Sequence, residues 1–164
     1  MKKAGGLALL SVPGILKPMS TNKIDYGELK MAELFHGHLG PWLVLGLRAG
    51  RYARRRLKGT PFDLRAIVEC PAKPPVSCFI DGVQLGSGCT MGKTNIQHRI
   101  KPGRCQVVFQ HRDTAEKVTF KVRRDVFESL VNLKKKNAVA VAQEMYSMPF
   151  ARLFLIASAE ARKR

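Results

Sequence analysis

His36-Gly37-His38 places two imidazoles two residues apart, which in an extended segment turns both to one side. The intervening glycine lets the backbone approach a bound group closely, so the tripeptide suits a ligand. At a helix junction such a pair more often hydrogen-bonds backbone ends. Cys78 and Cys89 form the second set of reactive types. Cys89 sits in GSGCTMGKTN, residues 86–95, where small neighbours expose backbone N–H groups and Lys93 adds a positive charge, both of which favour a thiolate. The alternative is that both cysteines are small buried hydrophobes. Asp81, Gln84 and Asn95 bracket the same loop and can orient a ligand or a neighbouring side chain.

The loop ends like a phosphate-binding P-loop, but its register is wrong. Counting back from Gly92-Lys93-Thr94, the first glycine position of the motif is filled by Ser87, with Gly86 and Gly88 each off by one. The segments after Thr94 read as strands, whereas a P-loop leads into a helix whose N-terminus faces the phosphates. No nucleotide is expected here.

Positioning these residues falls to a chain of 164 residues, enough for one core without metal or disulfide staples. Its 45% apolar and 25% charged content is that of a globular protein, and no run approaches the ~20 apolar residues that span a bilayer. The first 20 residues resemble a secretory signal in outline, but Gly5, Gly6, Pro13 and Gly14 interrupt the apolar part, so residues 1–20 are expected to be a flexible tail. The four cysteines lack Cys-x-x-Cys spacing and are expected to be free thiols of a cytoplasmic protein. A net charge of +17 favours encounters with polyanions. Because the basic clusters are dispersed, they read as solvated faces making weak polyanion contacts; a basic nucleic-acid-binding protein without catalytic activity is the alternative.

Periodicity predicts a first amphipathic helix over residues 25–35, with Leu29, Ala32 and Phe35 on one stripe. A second, opened by Pro41, runs to about residue 58, burying Trp42, Leu45 and Ala49 and showing Arg48, Arg51, Arg55 and Lys58 on its other side. A strand over 64–69, a proline-broken segment over 70–75 and a short helix over 76–85 follow. Strands are expected over 95–100, 105–111 and 117–122, then helices over 126–136, capped by Asp125, over 138–148 and over 149–162. Clustered strands with helices before and after give an α+β domain, residues 21–164, with a mostly antiparallel sheet flanked by helices.

Three motifs in order, FHGHLGP followed by a helix rich in small residues, CFIDGVQ, and SGCTMGKTN, resemble the FmdE family, which takes its name from formylmethanofuran dehydrogenase; the later MPFARLFLI is similar to the end of that family's core domain. The resemblance implies a commonly dimeric α+β core whose pocket is lined by the motif histidines and cysteines, and an association with metal, zinc above all. It implies a metal- or thiol-dependent oxidoreductase, or an accessory component, of one-carbon or formyl chemistry in a formylmethanofuran dehydrogenase-type complex. On this reading zinc or another divalent ion binds between His38, Cys78 and Cys89. Cys89, His36 and Lys93 are the candidate catalytic groups, and Asp81, Gln84, Thr90 and Asn95 are the candidate ligand-binding groups. Two departures stand out. Gly40 occupies a position where many relatives carry cysteine, and with no cysteine beyond Cys105 any metal site is expected to come from the core.

Overall fold

A computed structural model describes residues 25–159; the tail expected over residues 1–20 lies outside them. Helix α1 (Tyr26–His36) begins at Asp25, whose carboxylate accepts the Glu28 N–H at 3.1 Å, and ends at Gly37, which takes the left-handed conformation (φ 93°) that glycine adopts without cost. Leu29 and Ala32 are buried as the stripe predicts, but Phe35 faces solvent. Two residues of extended chain then carry His38 to α2 (Pro41–Leu57).

Helix α2 is buried nearly all round, which corrects the expectation of a basic outer face starting at Arg48. Arg48 is 7% exposed and donates to the carbonyls of Met145 (2.6 Å) and Met148 (2.5 Å), so it ties α2 to the C-terminal end of a later helix. Burial presses its guanidinium down to about 10.

Strand β1 (Leu64–Cys70) leads through the proline segment into α3 (Cys78–Ser87), a 3-10 turn (Met91–Lys93) and β2 (Ile96–Ile100). Strands β3 (Gln106–His111) and β4 (Lys117–Val122) follow, then α4 (Arg124–Val131), a second 3-10 turn (Lys135–Asn137), α5 (Ala138–Ser147), α6 (Phe150–Leu153) and β5 (Phe154–Ala159). The sheet runs β2-β1-β3-β4-β5, with β1 and β2 parallel and every other pair antiparallel. The fold is a single α+β domain. Alternating burial along β1 and β4 gives the sheet one covered face, on which Leu64, Val68, Phe109 and Phe120 pack toward the helices.

Two expected helices differ. The run over 149–162 is helical for one turn only and then becomes β5, pairing with β4 from Val122↔Phe154 to Lys117↔Ala159; its residues past 159 lie outside the described ones. Phe-Leu-Ile is as good a strand as a helix, and the open edge of β4 offers it a ladder that no helix could supply. The helix expected over 126–136 stops at Val131, short of the like-charged Lys134, Lys135 and Lys136, and its cap position is Arg123 rather than Asp125.

What sets the site is how α2 and α3 pack. A Cβ added at Gly46 would overlap the Phe79 carbonyl and at Gly50 the Ser87 amide, while one at Gly82 would overlap the Leu43 carbonyl and at Gly86 the Leu47 carbonyl. Glycines four apart on each helix, Gly46 with Gly50 and Gly82 with Gly86, thus bring the two backbones into direct contact. The pairing rises together along both helices, from Leu43 with Gly82 to Gly50 with Ser87, so α2 and α3 run parallel. Their N-termini share one end of the molecule and their C-termini the other.

Candidate functional site

At the shared N-terminal end, His36 from the end of α1 meets Asp81 from the first turn of α3, with Nδ1 2.7 Å from Oδ2. The carboxylate accepts the Nδ1 proton; with Nδ1 so engaged, Nε2 of the neutral ring is the nitrogen whose lone pair would face another partner. Among the described residues none fills that role: the His36 side chain is 10% exposed, and its Nε2 is buried without a hydrogen bond. The His38 ring lies 4.7 Å from it, centroid to centroid. Gln84 approaches Asp81 Oδ1 at 3.5 Å and spends its carbonyl on the Met91 N–H at 3.1 Å, so it links the carboxylate to the following loop.

Beside this pair opens a cavity of about 720 Å³, walled by His38, Trp42, Pro75, Cys78, Leu130 and Lys135 among others. The Cys78 thiol is half-buried; burial first, then the Asp81 charge, pushes it above its ordinary value. Trp42 is 2% exposed, packs edge-on to Phe127, and has a buried indole N–H with no partner among the described residues.

The other cysteine stands at the opposite end. Cys78 opens α3 and Cys89 follows its last residue, so a ten-residue helix separates them, about 15 Å at 1.5 Å per residue. Two thiolates on one zinc, each about 2.3 Å from the ion, must be far closer than that. The expected grouping of His38, Cys78 and Cys89 is therefore not assembled, and among the described residues no three His, Cys, Asp or Glu side chains converge as a metal cage. Cys89 is fully buried and absent from the cavity wall. Burial raises its thiol in spite of the Ser87 hydroxyl, Lys93, Arg112 and Arg54, which pull the other way.

The loop around Cys89 spends its polar groups on itself. Asn95, 1% exposed, accepts the Thr90 N–H at 2.9 Å and donates to the carbonyls of Pro61 (2.7 Å) and Leu64 (3.0 Å). Lys93 Nζ donates to Thr90 Oγ1 at 2.9 Å. Gly88 caps α3 at φ 71°, with Pro61 against the face where a side chain would stand. The order helix, turn, strand is the reverse of a P-loop's.

The residues at the first end fit part of a zinc sphere. A histidine anchored by a carboxylate, with its other nitrogen bare, beside a second imidazole, is how metal-ligating histidines are oriented. A Cβ built on Gly40 falls 3.3 Å from His38 Nε2, so a cysteine at this position, as the resemblance expects of relatives, would stand against that imidazole.

The family model described as "FmdE, Molybdenum formylmethanofuran dehydrogenase operon" matches residues 35–155. The chain belongs to the FmdE family. Within the match fall both histidines, the two glycine-paired helices and nearly the whole sheet. The chain is also 36% identical over 75 residues to a probable S-adenosyl-L-methionine-binding protein of Archaeoglobus fulgidus, an alignment covering 42% of this chain and 19% of that protein. It thus spans about a fifth of that relative's length. For this FmdE-family chain, sequence reasoning missed Trp42 as a cavity residue and the whole wall from α4 to α5. The repeated glycine spacing was a readable signal for the parallel helix pair; nothing local marks Leu130 or Lys135 as neighbours of His38.

Proposed function

We propose that this FmdE-family chain is a metal- and ligand-binding enzyme or accessory component of formyl-group chemistry, acting at the end where α2 and α3 begin. The observation that carries the reading is His36, held through Nδ1 by Asp81, with its Nε2 buried and bare among the described residues. His36 and His38 would hold a divalent ion, zinc first, with Cys78 the thiol on the adjoining wall. A bound ion supplies a Lewis acid there. The chain's own part is to orient His36 through Asp81, to keep water from its Nε2, and to present a mostly apolar cavity beside it. Cys89 and its loop, on this reading, fix the far end of α3 and take no part in the reaction. The cytoplasm, a place in a formylmethanofuran dehydrogenase-type assembly, and a homodimer complete the proposal. Exposed Tyr26, Met31, Leu34 and Phe35 on α1 are apolar surface that a second copy would cover.

Elemental analysis of protein purified without a His-tag tests the core of it. Zinc bound near one per chain, and lost in His36→Ala and His38→Ala while circular dichroism is unchanged, is the expected result. Zinc absent from the wild-type chain even after zinc is added, or retained equally by both variants, sinks it. Titrating S-adenosyl-L-methionine into the same samples asks whether the ligand named for the relative is shared.

A further inference from the structure

Away from the histidines, the covered face of the sheet holds a second pair of reactive side chains. The β1–β3 ladder pairs Glu69 with Gln106, and carrying that register one rung further sets Cys70, the last residue of β1, opposite Cys105, which precedes β3. Hydrogen-bond directions fix the type of rung. The Cys70 carbonyl accepts the Lys101 N–H at 3.0 Å on the β2 side, and the Cys105 carbonyl accepts the Val122 N–H at 2.9 Å on the β4 side, so neither backbone turns its polar groups to the other. Such a rung is the close, non-hydrogen-bonded kind, with Cα atoms about 4.5 Å apart. Disulfides span Cα separations of about 4.4 to 6.8 Å. Cys70 alternates in step with buried Val68 and Cys105 with buried Val107, so both side chains stand on the same face of the sheet, at 0% and 2% exposure. A charge on Cys70 is felt at Cys105, as that closeness requires. Both are free thiols. His98 Nε2 lies 3.4 Å from Cys70 Sγ and 3.1 Å from the Cys70 carbonyl oxygen, which puts a proton acceptor beside this thiol.

We propose that Cys70 and Cys105 are a redox site, a dithiol that a small hydroperoxide oxidises to a cross-strand disulfide, with His98 taking the Cys70 proton. In the first step the Cys70 sulfur bonds to one peroxide oxygen and the O–O bond breaks; Cys70 becomes a sulfenic acid, and the other oxygen leaves as water with the proton from His98. The Cys105 sulfur then attacks the Cys70 sulfur. The S–S bond forms, the S–O bond breaks, and the departing hydroxide takes the Cys105 proton as a second water. The two electrons given up by the thiols reduce the peroxide, and a dithiol reductant reopens the bond by exchange, becoming a disulfide itself. Burial makes oxidation slow and selects a small uncharged oxidant, while the position at the last rung of the ladder keeps the opening local. The bond closes a loop that holds α3 and β2, so it staples the sheet against unfolding.

The test is to expose the reduced full chain to hydrogen peroxide, alkylate the remaining thiols in denaturant at timed intervals, and map the peptides by mass spectrometry. The expected product is a Cys70–Cys105 link that accumulates with time, disappears on treatment with dithiothreitol, and raises the melting temperature by roughly 5 °C. His98→Gln should slow its formation roughly tenfold and leave the melting temperature of the reduced chain unchanged. Cys105→Ser should stop at a Cys70 sulfenic acid that dimedone traps. Cys70 and Cys105 both still alkylated after Cys78 has been oxidised, a link to Cys78 or Cys89 in their place, a linked chain that melts no higher than the reduced one, or an unchanged rate in folded His98→Gln overturns the assignment. The wild-type peptide map decides the pairing even if Cys105→Ser does not fold.

Discussion

At the end where α2 and α3 begin, His36 Nε2 and the Trp42 indole N–H are buried without a hydrogen-bond partner among the described residues. Where the two helices finish, Asn95 spends both ends of its amide on Thr90, Pro61 and Leu64. Both ends hold a cysteine, a glycine-rich connection and polar side chains, and both lie within the FmdE match. One is an assembly with unmet bonding capacity around a cavity; the other is closed, with a buried thiol at its centre. Unspent donors and acceptors, rather than the presence of reactive residue types, separate a candidate site from a scaffold.

The largest effect should come from breaking what holds the two ends apart. In Gly82→Ala the new methyl overlaps the Leu43 carbonyl, a clash with backbone that no rotamer relieves, so a loss of about 3 kcal/mol is expected in chemical denaturation. Gly92→Ala, with open space around the added carbon, should stay within about 0.5 kcal/mol. Similar stabilities for the two variants would mean that α2 and α3 do not meet through their glycines.

The second test sets one end against the other. Asp81→Asn frees His36 and should weaken zinc roughly 10- to 100-fold with little change in melting temperature. Asn95→Ala strands two carbonyls and an N–H at the closed end, so it should cost about 2 kcal/mol of stability and leave zinc binding alone. Zinc loss in a folded Asn95→Ala protein would erase the distinction between the ends.

The sequence was informative where chemistry is local and silent where it is tertiary. The FHGHLGP and CFIDGVQ motifs identified His36, His38 and Asp81, and alternation located β1 to β4, because strand and cap signals act over a few residues. Cys89 was misplaced for a different reason. Residue type and a neighbouring lysine suggested a reactive thiolate, but burial outweighs Lys93, and only the parallel packing shows that α3 carries Cys89 away from Cys78. Arg48 and β5 show the same limit: a charged residue on a helix and a Phe-Leu-Ile run both look otherwise until the Met145 carbonyl and the open edge of β4 come to meet them.

A smaller effect should appear in alkali. Burial raises Cys70 from 9.0 to about 11, raises Cys89 less, and raises Cys105 well above its ordinary value. An acid whose folded value lies above its unfolded one supports the fold below the unfolded value and loses that support as pH climbs toward the folded one. Melting temperature should therefore be flat to about pH 8 and fall between pH 9 and 11. Cys70→Ala should blunt the fall even if it lowers stability at neutral pH. A melting temperature that rises over that window would contradict the burial of these thiols.

The smallest expected effect concerns the net charge of +17. Arg54, Lys93 and Arg112 gather near the closed end, close enough to act on Cys89, while Arg123, Arg124 and the lysines at 134–136 lie on other elements. Dispersed charge attracts a polyanion without holding it in register, so duplex DNA or RNA should bind no tighter than about micromolar at physiological salt, with affinity falling steeply as salt rises. Arg54→Gln should lower the salt slope by about one and change the affinity alike for every sequence, whereas His36→Ala should change neither. Fluorescence anisotropy across a salt series measures both. Nanomolar binding at physiological salt, with one sequence preferred and Arg54→Gln abolishing the preference, would make the closed end a dedicated nucleic-acid site. The comparison would then invert, because the end whose internal hydrogen bonds are complete would be the one built for a partner, and its completeness would be the rigidity on which a charged reading surface depends.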